Sequence, residues 1–204
     1  MFLRNLKISN FKNIENSEFD FLQINCFVGN NGVGKTNVLD AIYYLSFCKS
    51  FFNHNDFHSI RYGSDFFALH GDYLIKGVEE KISCVLKEGG KKQIKHSGKL
   101  YTRHSEHIGR IPVVMIAPND HILITGGSDV RRKFVDQIIS QQDSLYLQNL
   151  IRYNKAIEQR NKLLKSFQIY HSVDEVNLLI WEEQIAVYGK FIQEKRKNFF
   201  EKFL

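Results

Sequence analysis

Gly29-Asn30-Asn31-Gly32-Val33-Gly34-Lys35-Thr36 is the stretch whose residue types and spacing carry the clearest chemistry, because it fills every fixed position of G-x-x-x-x-G-K-[ST]. The spacing has a physical reading. Gly29, Gly32 and Gly34 can take backbone angles closed to other residues, so successive N–H groups turn inward on phosphate oxygens. A helix starting at Lys35 adds the positive end of its dipole at the same place. Lys35 then offers a point charge to the terminal phosphates, and Thr36 offers a hydroxyl to a magnesium ion bridging them. Residues 29–36 are therefore expected to hold the triphosphate of ATP or a close relative, with Mg2+. A glycine-rich turn that merely joined a strand to a helix would account for the glycines but not for Lys35-Thr36.

Hydrolysis asks for more: an acidic residue at a strand end that holds the metal and orients water. Asp120, after the apolar run Val113 to Ala117, is the candidate. Pro118 and Asn119 intervene, so Asp120 lies past the strand tip, and a polar turn residue is the competing reading. Two basic sets, Lys91, Lys92, Lys95, Lys99 and Arg103, then Lys190, Lys195, Arg196 and Lys197, suit either nucleic-acid phosphates or a solvated face. In the first set only Tyr101 is placed to stack on a base. Arg131 and Arg132 fit a phosphate or partner contact, or exposed ion pairs. His54, His58, His104 and His107 have metal-like spacing without a third ligand, which favours surface histidines.

The elements that must position these groups follow from periodicity. Phe2 to Phe21 reads as one or two strands with turns, and Gln23 to Val28 as a short apolar strand leading into the glycine loop. Val38, Ala41, Ile42 and Leu45 recur at helical spacing, which predicts a helix from Lys35 to about Phe47. Between about residues 65 and 103 the period falls to two, with turns at Glu88-Gly89-Gly90 and Ser97-Gly98, the pattern of an antiparallel meander. Val113 to Ala117 reads as a strand covered on both faces. Ser128 is placed to cap a following helix, with Asp129 in its first turn. Two long helices follow from about Ser144, divided by a polar break at Gln168 to Asp174. This divides the chain into a first lobe, 1–143, and a helical second lobe, 144–204.

Composition narrows the class. The 204 residues are 43% hydrophobic and 25% charged, ordinary for a globular chain, so disorder and fibrous repeats are excluded. The formal charge of +6, with a pI near 9.1, is the direction expected for a nucleic-acid partner but does not require one. Cys26, Cys48 and Cys84 form no C-x-x-C pair, which argues against a zinc site or a disulfide framework. No run approaches the roughly 20 apolar residues of a membrane helix, and Met1 to Lys7 lacks a signal peptide's apolar core. A cytoplasmic protein without a membrane partner is expected.

Leu6-Lys-Ile-Ser-Asn-Phe-Lys-Asn13 with Cys26 to Ile42 resembles the start of ATPase heads of the SMC, Rad50 and RecF type. Gly127-Ser-Asp-Val-Arg-Arg-Lys-Phe-Val-Asp136, Tyr153 to Lys165 with its Gln-Arg-Asn core, and Trp181-Glu-Glu-Gln-Ile-Ala with Gly189 narrow the resemblance to the RecF family. The implied fold is α/β, a P-loop ABC-type ATPase head with an antiparallel β subdomain and the start of a helical second lobe. The resemblance further implies ATP-dependent DNA binding, an ATP-dependent homodimer, and action with RecO and RecR to place a recombinase on gapped DNA. Pro118-Asn119-Asp120 stands where the family usually has Pro-Glu-Asp. Neither a Leu-Ser-x-Gly-Gln-like signature nor a late Asp-rich strand occurs in the sequence, so it resembles the N-terminal part of such a protein, inactive alone in hydrolysis. The competing expectations are a P-loop kinase for a small molecule, another SMC/Rad50-type head, and a DNA module with a vestigial loop.

Overall fold

The computed structural model describes residues 1–53, 55–170 and 174–203, leaving aside the side chains of 168–170 and 203. His54 lies outside the described residues. The chain divides into two compact units, Met1–Met115 and Ile116–Leu204.

The first unit is built on six antiparallel strands: β1 Phe2–Phe11, β2 Ile14–Asp20, β3 Phe66–Ile75, β4 Val78–Lys87, β5 Gln93–His96 and β6 Lys99–Leu100. Their order in the sheet is β2-β1-β3-β4-β5-β6. Alternation decides which face is buried. Leu6 and Ile8 of β1, Phe67, Leu69 and Tyr73 of β3, and Ile82, Cys84 and Leu86 of β4 all point into one core. The two-residue turns Lys76-Gly77 and Ser97-Gly98 both sit at positive φ, a geometry that matches the right-handed twist of the flanking strands. The meander expected between about 65 and 103 is thus β3 to β6.

Helix α1, Lys35–Phe47, covers the apolar face. Val38, Ala41, Tyr44 and Leu45 form its buried stripe, and Phe11, Tyr44 and Phe67 meet edge to face with ring centroids 5.3–5.9 Å apart. The approach is close: a Cβ on Gly71 would lie 2.9 Å from a methyl of Leu45. Helix α1 ends on Cys48 in the left-handed region (φ 56), where its N–H reaches the Tyr44 carbonyl.

Two expected strands are not formed. Residues 23–28 and 113–117 do not take up strand structure, and Ile24, Val28, Val114 and Ile116 are each at least 80% exposed. Apolar runs at these positions report a strand only when a neighbour supplies the ladder.

The second unit is helical: α2 Ile122–Thr125, α3 Ser128–Gln142, α4 Ser144–Tyr170 and α5 Glu175–Phe203. Val135 and Ile139 of α3, Tyr146 of α4 and Ile192 of α5 close its core. Contacts of Arg160 with Glu182, Tyr153 with Gly189 and Asp143 with Lys195 run in opposite directions along α4 and α5, so the two helices are antiparallel. Helix α3 packs in this unit through Val135 and Ile139. Ser128 is not the cap of α3. The helix starts from Gly127 without a side-chain cap, and the Ser128 hydroxyl instead accepts from Arg132.

Candidate functional site

The glycine loop leaves residues 23–28 and enters α1 through Gly34. Gly32 (φ 82) and Gly34 (φ 106) occupy backbone conformations that disfavour any side chain, so both glycines are fixed by geometry. The loop is held from one side by the β1–β2 turn. The Asn13 amide donates to the Gly32 carbonyl at 2.6 Å, and its oxygen accepts from the Asn37 amide at 2.7 Å. Next to it, Lys12 (φ 54) reaches Asp40 of α1 at 2.6 Å. The Asp40 carboxylate is fully buried and also accepts from the Ser50 hydroxyl and the Phe51 N–H, each at 2.7 Å, so its charge is paired and its lone pairs are used.

These residues fit a polyphosphate. Helix α1 begins without a side-chain cap and with no acid in its first turn, so its N-terminal field is not cancelled locally. Lys35 donates to the Gly29 and Asn30 carbonyls, both at 2.7 Å, which folds the ammonium over the loop. Thr36 is exposed, and its hydroxyl has no partner among the described residues. A phosphate would accept from the loop and helix amides and from Lys35. Mg2+ would take the Thr36 hydroxyl. Gly29, Asn30, Asn31, Gly32, Val33, Gly34, Lys35 and Thr36 thus stand together as one loop, as the spacing requires.

Asp120 lies in the second unit, where its carboxylate accepts from the Ala117 N–H at 2.8 Å and closes a short turn over Pro118–His121. That is the polar turn role. Among the described residues no group of three His, Cys, Asp or Glu side chains is arranged to hold a metal ion. His107, expected on the surface, is fully buried with Nε2 2.6 Å from the Leu45 carbonyl. Cys26, Cys48 and Cys84 are free thiols, and burial pushes the Cys48 thiol up to about 12.

The basic residues separate by environment. Lys92, expected among the DNA contacts, is buried instead: its ammonium donates at 2.5 Å both to Asp56 and to the Cys48 carbonyl. Lys91, Lys95, Lys99 and Arg103 are exposed and without an ion pair among the described residues. The register across β4 and β5 sets Ser83 opposite Lys95, so Lys81 and Lys87 share the solvent face with Lys95. Strand pairing was needed to find that face, since the three lysines are not a run in sequence. The second basic set is mostly engaged. Lys195 pairs with Asp143 at 2.7 Å, Lys197 with Glu201 at 3.8 Å, and Arg196 grips Asp136 with two bonds of 2.8 Å. Arg131 donates to the Gly126 carbonyl at 2.9 Å and Arg132 to Ser128 at 2.8 Å, so both serve local structure.

A family model described as an AAA ATPase domain matches residues 1–203. The DNA replication and repair protein RecF of Flavobacterium johnsoniae is 50% identical over 205 residues, and that of Phocaeicola vulgatus 50% over 206; the matches cover all of this chain and 57% and 55% of those proteins. A solved structure of the recombination mediator protein RecF-ATP in the RecFOR pathway superposes with a TM-score of 0.92 at 32% identity, covering 98% of this chain and 54% of that one. SMC ATPase heads share the fold at a TM-score of 0.55 and 20% identity. The chain spans about half the length of the curated relatives it matches. With the loop geometry, the whole-length family match and the RecF relatives in agreement, the chain belongs to the AAA ATPase domain family and corresponds within it to the N-terminal part of RecF.

Proposed function

We propose that this chain is the ATP-binding portion of a RecF-like DNA repair and replication protein. The observation that carries the reading is the joint geometry of the loop and α1: two glycines at positive φ, an uncapped helix start and Lys35 poised on loop carbonyls. The likeness to RecF-ATP supports it. On ATP binding, Lys35 exchanges its two carbonyl bonds for phosphate oxygens, a charge-assisted replacement that is stronger than the bonds it releases. Bound Mg2+ would supply charge neutralisation at the terminal phosphates. In this proposal the chain alone binds nucleotide but does not turn it over, because Asp120 is committed to its own turn and the sequence holds no Leu-Ser-x-Gly-Gln-like element.

The finer reading is that the longer protein closes as an ATP-dependent homodimer on DNA and acts with RecO and RecR to load a recombinase at gaps. It works in the cytoplasm. The exposed lysines of the β-meander support a phosphate contact. The test is Lys35→Ala. Loss of the charged donor should weaken Mg·ATP binding by about 100-fold, equivalent to about 3 kcal/mol. In the full-length protein, the same change should abolish the difference in DNA affinity with and without ATP. Equal ATP affinity of variant and parent would remove the nucleotide reading, and equal ATP dependence of DNA binding would remove the gating one.

A further inference from the structure

The β1–β2 turn touches the phosphate loop through one side chain, and that contact sets a peptide orientation. The Gly32 carbonyl and the Val33 N–H belong to a single planar trans peptide and point in opposite directions. With the Asn13 amide donating to the Gly32 carbonyl at 2.6 Å, the Val33 N–H is directed away from the turn. Asn37, three residues into α1, donates to the Asn13 oxygen at 2.7 Å and so decides which end of the carboxamide faces the loop. The fit is tight as well: a Cβ on Gly34 would lie 2.9 Å from the Asn13 oxygen and 3.3 Å from Ile14. The turn itself is anchored independently by Lys12, whose ammonium meets the fully buried Asp40 at 2.6 Å. Two consecutive turn residues therefore bind the same structure, Lys12 to the helix and Asn13 to both helix and loop.

We propose that Asn13, oriented by Asn37, is a positioning residue for nucleotide binding: it fixes the Gly32–Val33 peptide so that the loop presents its N–H to phosphate. It touches the loop and not the ligand. Without it, the Gly32 side of the peptide is held by no side chain and the glycine tolerates either orientation, so ATP must select the competent one, which lowers apparent affinity. The inference rests on the reading that residues 29–36 bind ATP.

The experiment is a titration of the full chain with a fluorescent ATP analogue and Mg2+, alongside thermal unfolding without nucleotide. Asn13→Ala should weaken binding by about five- to tenfold, the worth of one hydrogen bond near a charged ligand, with the nucleotide-free midpoint within about 3 °C of the parent. Asn13→Asp is nearly the same shape but cannot donate when ionised. Relative to the parent at each pH, it should bind poorly at pH 8 and recover as pH falls towards the ordinary carboxyl range near 4, where the protonated acid donates again. A side chain that only held the fold would lower the nucleotide-free midpoint along with the affinity, which is not expected of Asn13→Ala. Parent-like affinity in Asn13→Ala, or a deficit in Asn13→Asp that does not change with pH, overturns the proposal. Failure of the parent itself to bind the analogue would instead overturn the ATP-binding reading, so the two failures are separable.

Discussion

Lys35 donates to two carbonyls of its own loop, so the residue that would recognise phosphate is already satisfied without it. Its affinity for nucleotide is a difference between two sets of bonds, which is why removal of the charge is expected to matter more than removal of the bonds to Gly29 and Asn30. A different residue contributes to the loss of stability in acid. His107 is buried with Nε2 on the Leu45 carbonyl and Nδ1 without a partner, an arrangement that suits the neutral ring. Burial lowers its pKa from the ordinary 6.5, with the bond to Leu45 opposing and nearby His96 and Arg110 adding to the depression. A depressed folded pKa means that the unfolded chain takes up the proton first, so stability present above about pH 6.5 is lost as pH falls below it. His107→Gln keeps a donor for Leu45 and does not titrate. Thermal midpoints followed from pH 7.5 to 5 should fall less steeply in this variant than in the parent.

At the scale of elements, α3, α4 and α5 are tied by one carboxylate. Asp136 accepts from the Tyr146 hydroxyl at 2.5 Å and from both arms of Arg196 at 2.8 Å, and the Arg196 and Asp136 side chains are only 23% and 14% exposed. Asp136→Ala strands a largely desolvated guanidinium and a buried phenol, so it should destabilise the helical unit by about 2–4 kcal/mol in a urea titration. Lys197→Ala, whose pair with Glu201 is exposed, should change it by less than about 0.5 kcal/mol. On the sheet, the β4–β5 register gathers Lys81, Lys87 and Lys95 on one face. If this face meets DNA phosphates in the full-length protein, replacing all three with Ala should flatten the log–log salt dependence of DNA affinity by roughly three, and an unchanged slope would assign the face to solvent.

At the scale of the whole chain, the antiparallel unit and the helical unit each own a core, but residues 23–28 and 113–117 are not part of the six-stranded sheet. Ile24, Val28, Val114 and Ile116 in these segments are exposed. The relatives are nearly twice as long. A protein lengthened to their span is expected to slow amide hydrogen exchange at residues 23–28 and 114–117 by at least about 100-fold, as strand pairing protects these N–H groups. Fast exchange at both segments in the lengthened protein would show that they are loops by nature.

The glycine loop, α1 and the long helices were legible in the sequence because each is a local pattern: glycines and Lys-Thr at fixed spacing, then a 3.6-residue period over Lys35–Phe47 and α3 to α5. The period of two likewise marked the meander and its Ser97-Gly98 turn. Strands 23–28 and 113–117 were overread because apolar alternation records the wish to be buried, whereas a strand exists only with a neighbour to complete its hydrogen bonds. What the tertiary structure decided is which charges meet. Lys92 and Lys95 are three apart and look alike in sequence, yet packing of the β4–β5 connection over α1 delivers Lys92 to Asp56 and the end of α1 and leaves Lys95 in water. Asn13 and Gly32 are nineteen residues apart, and only the folding of the β1–β2 turn onto the loop makes them partners.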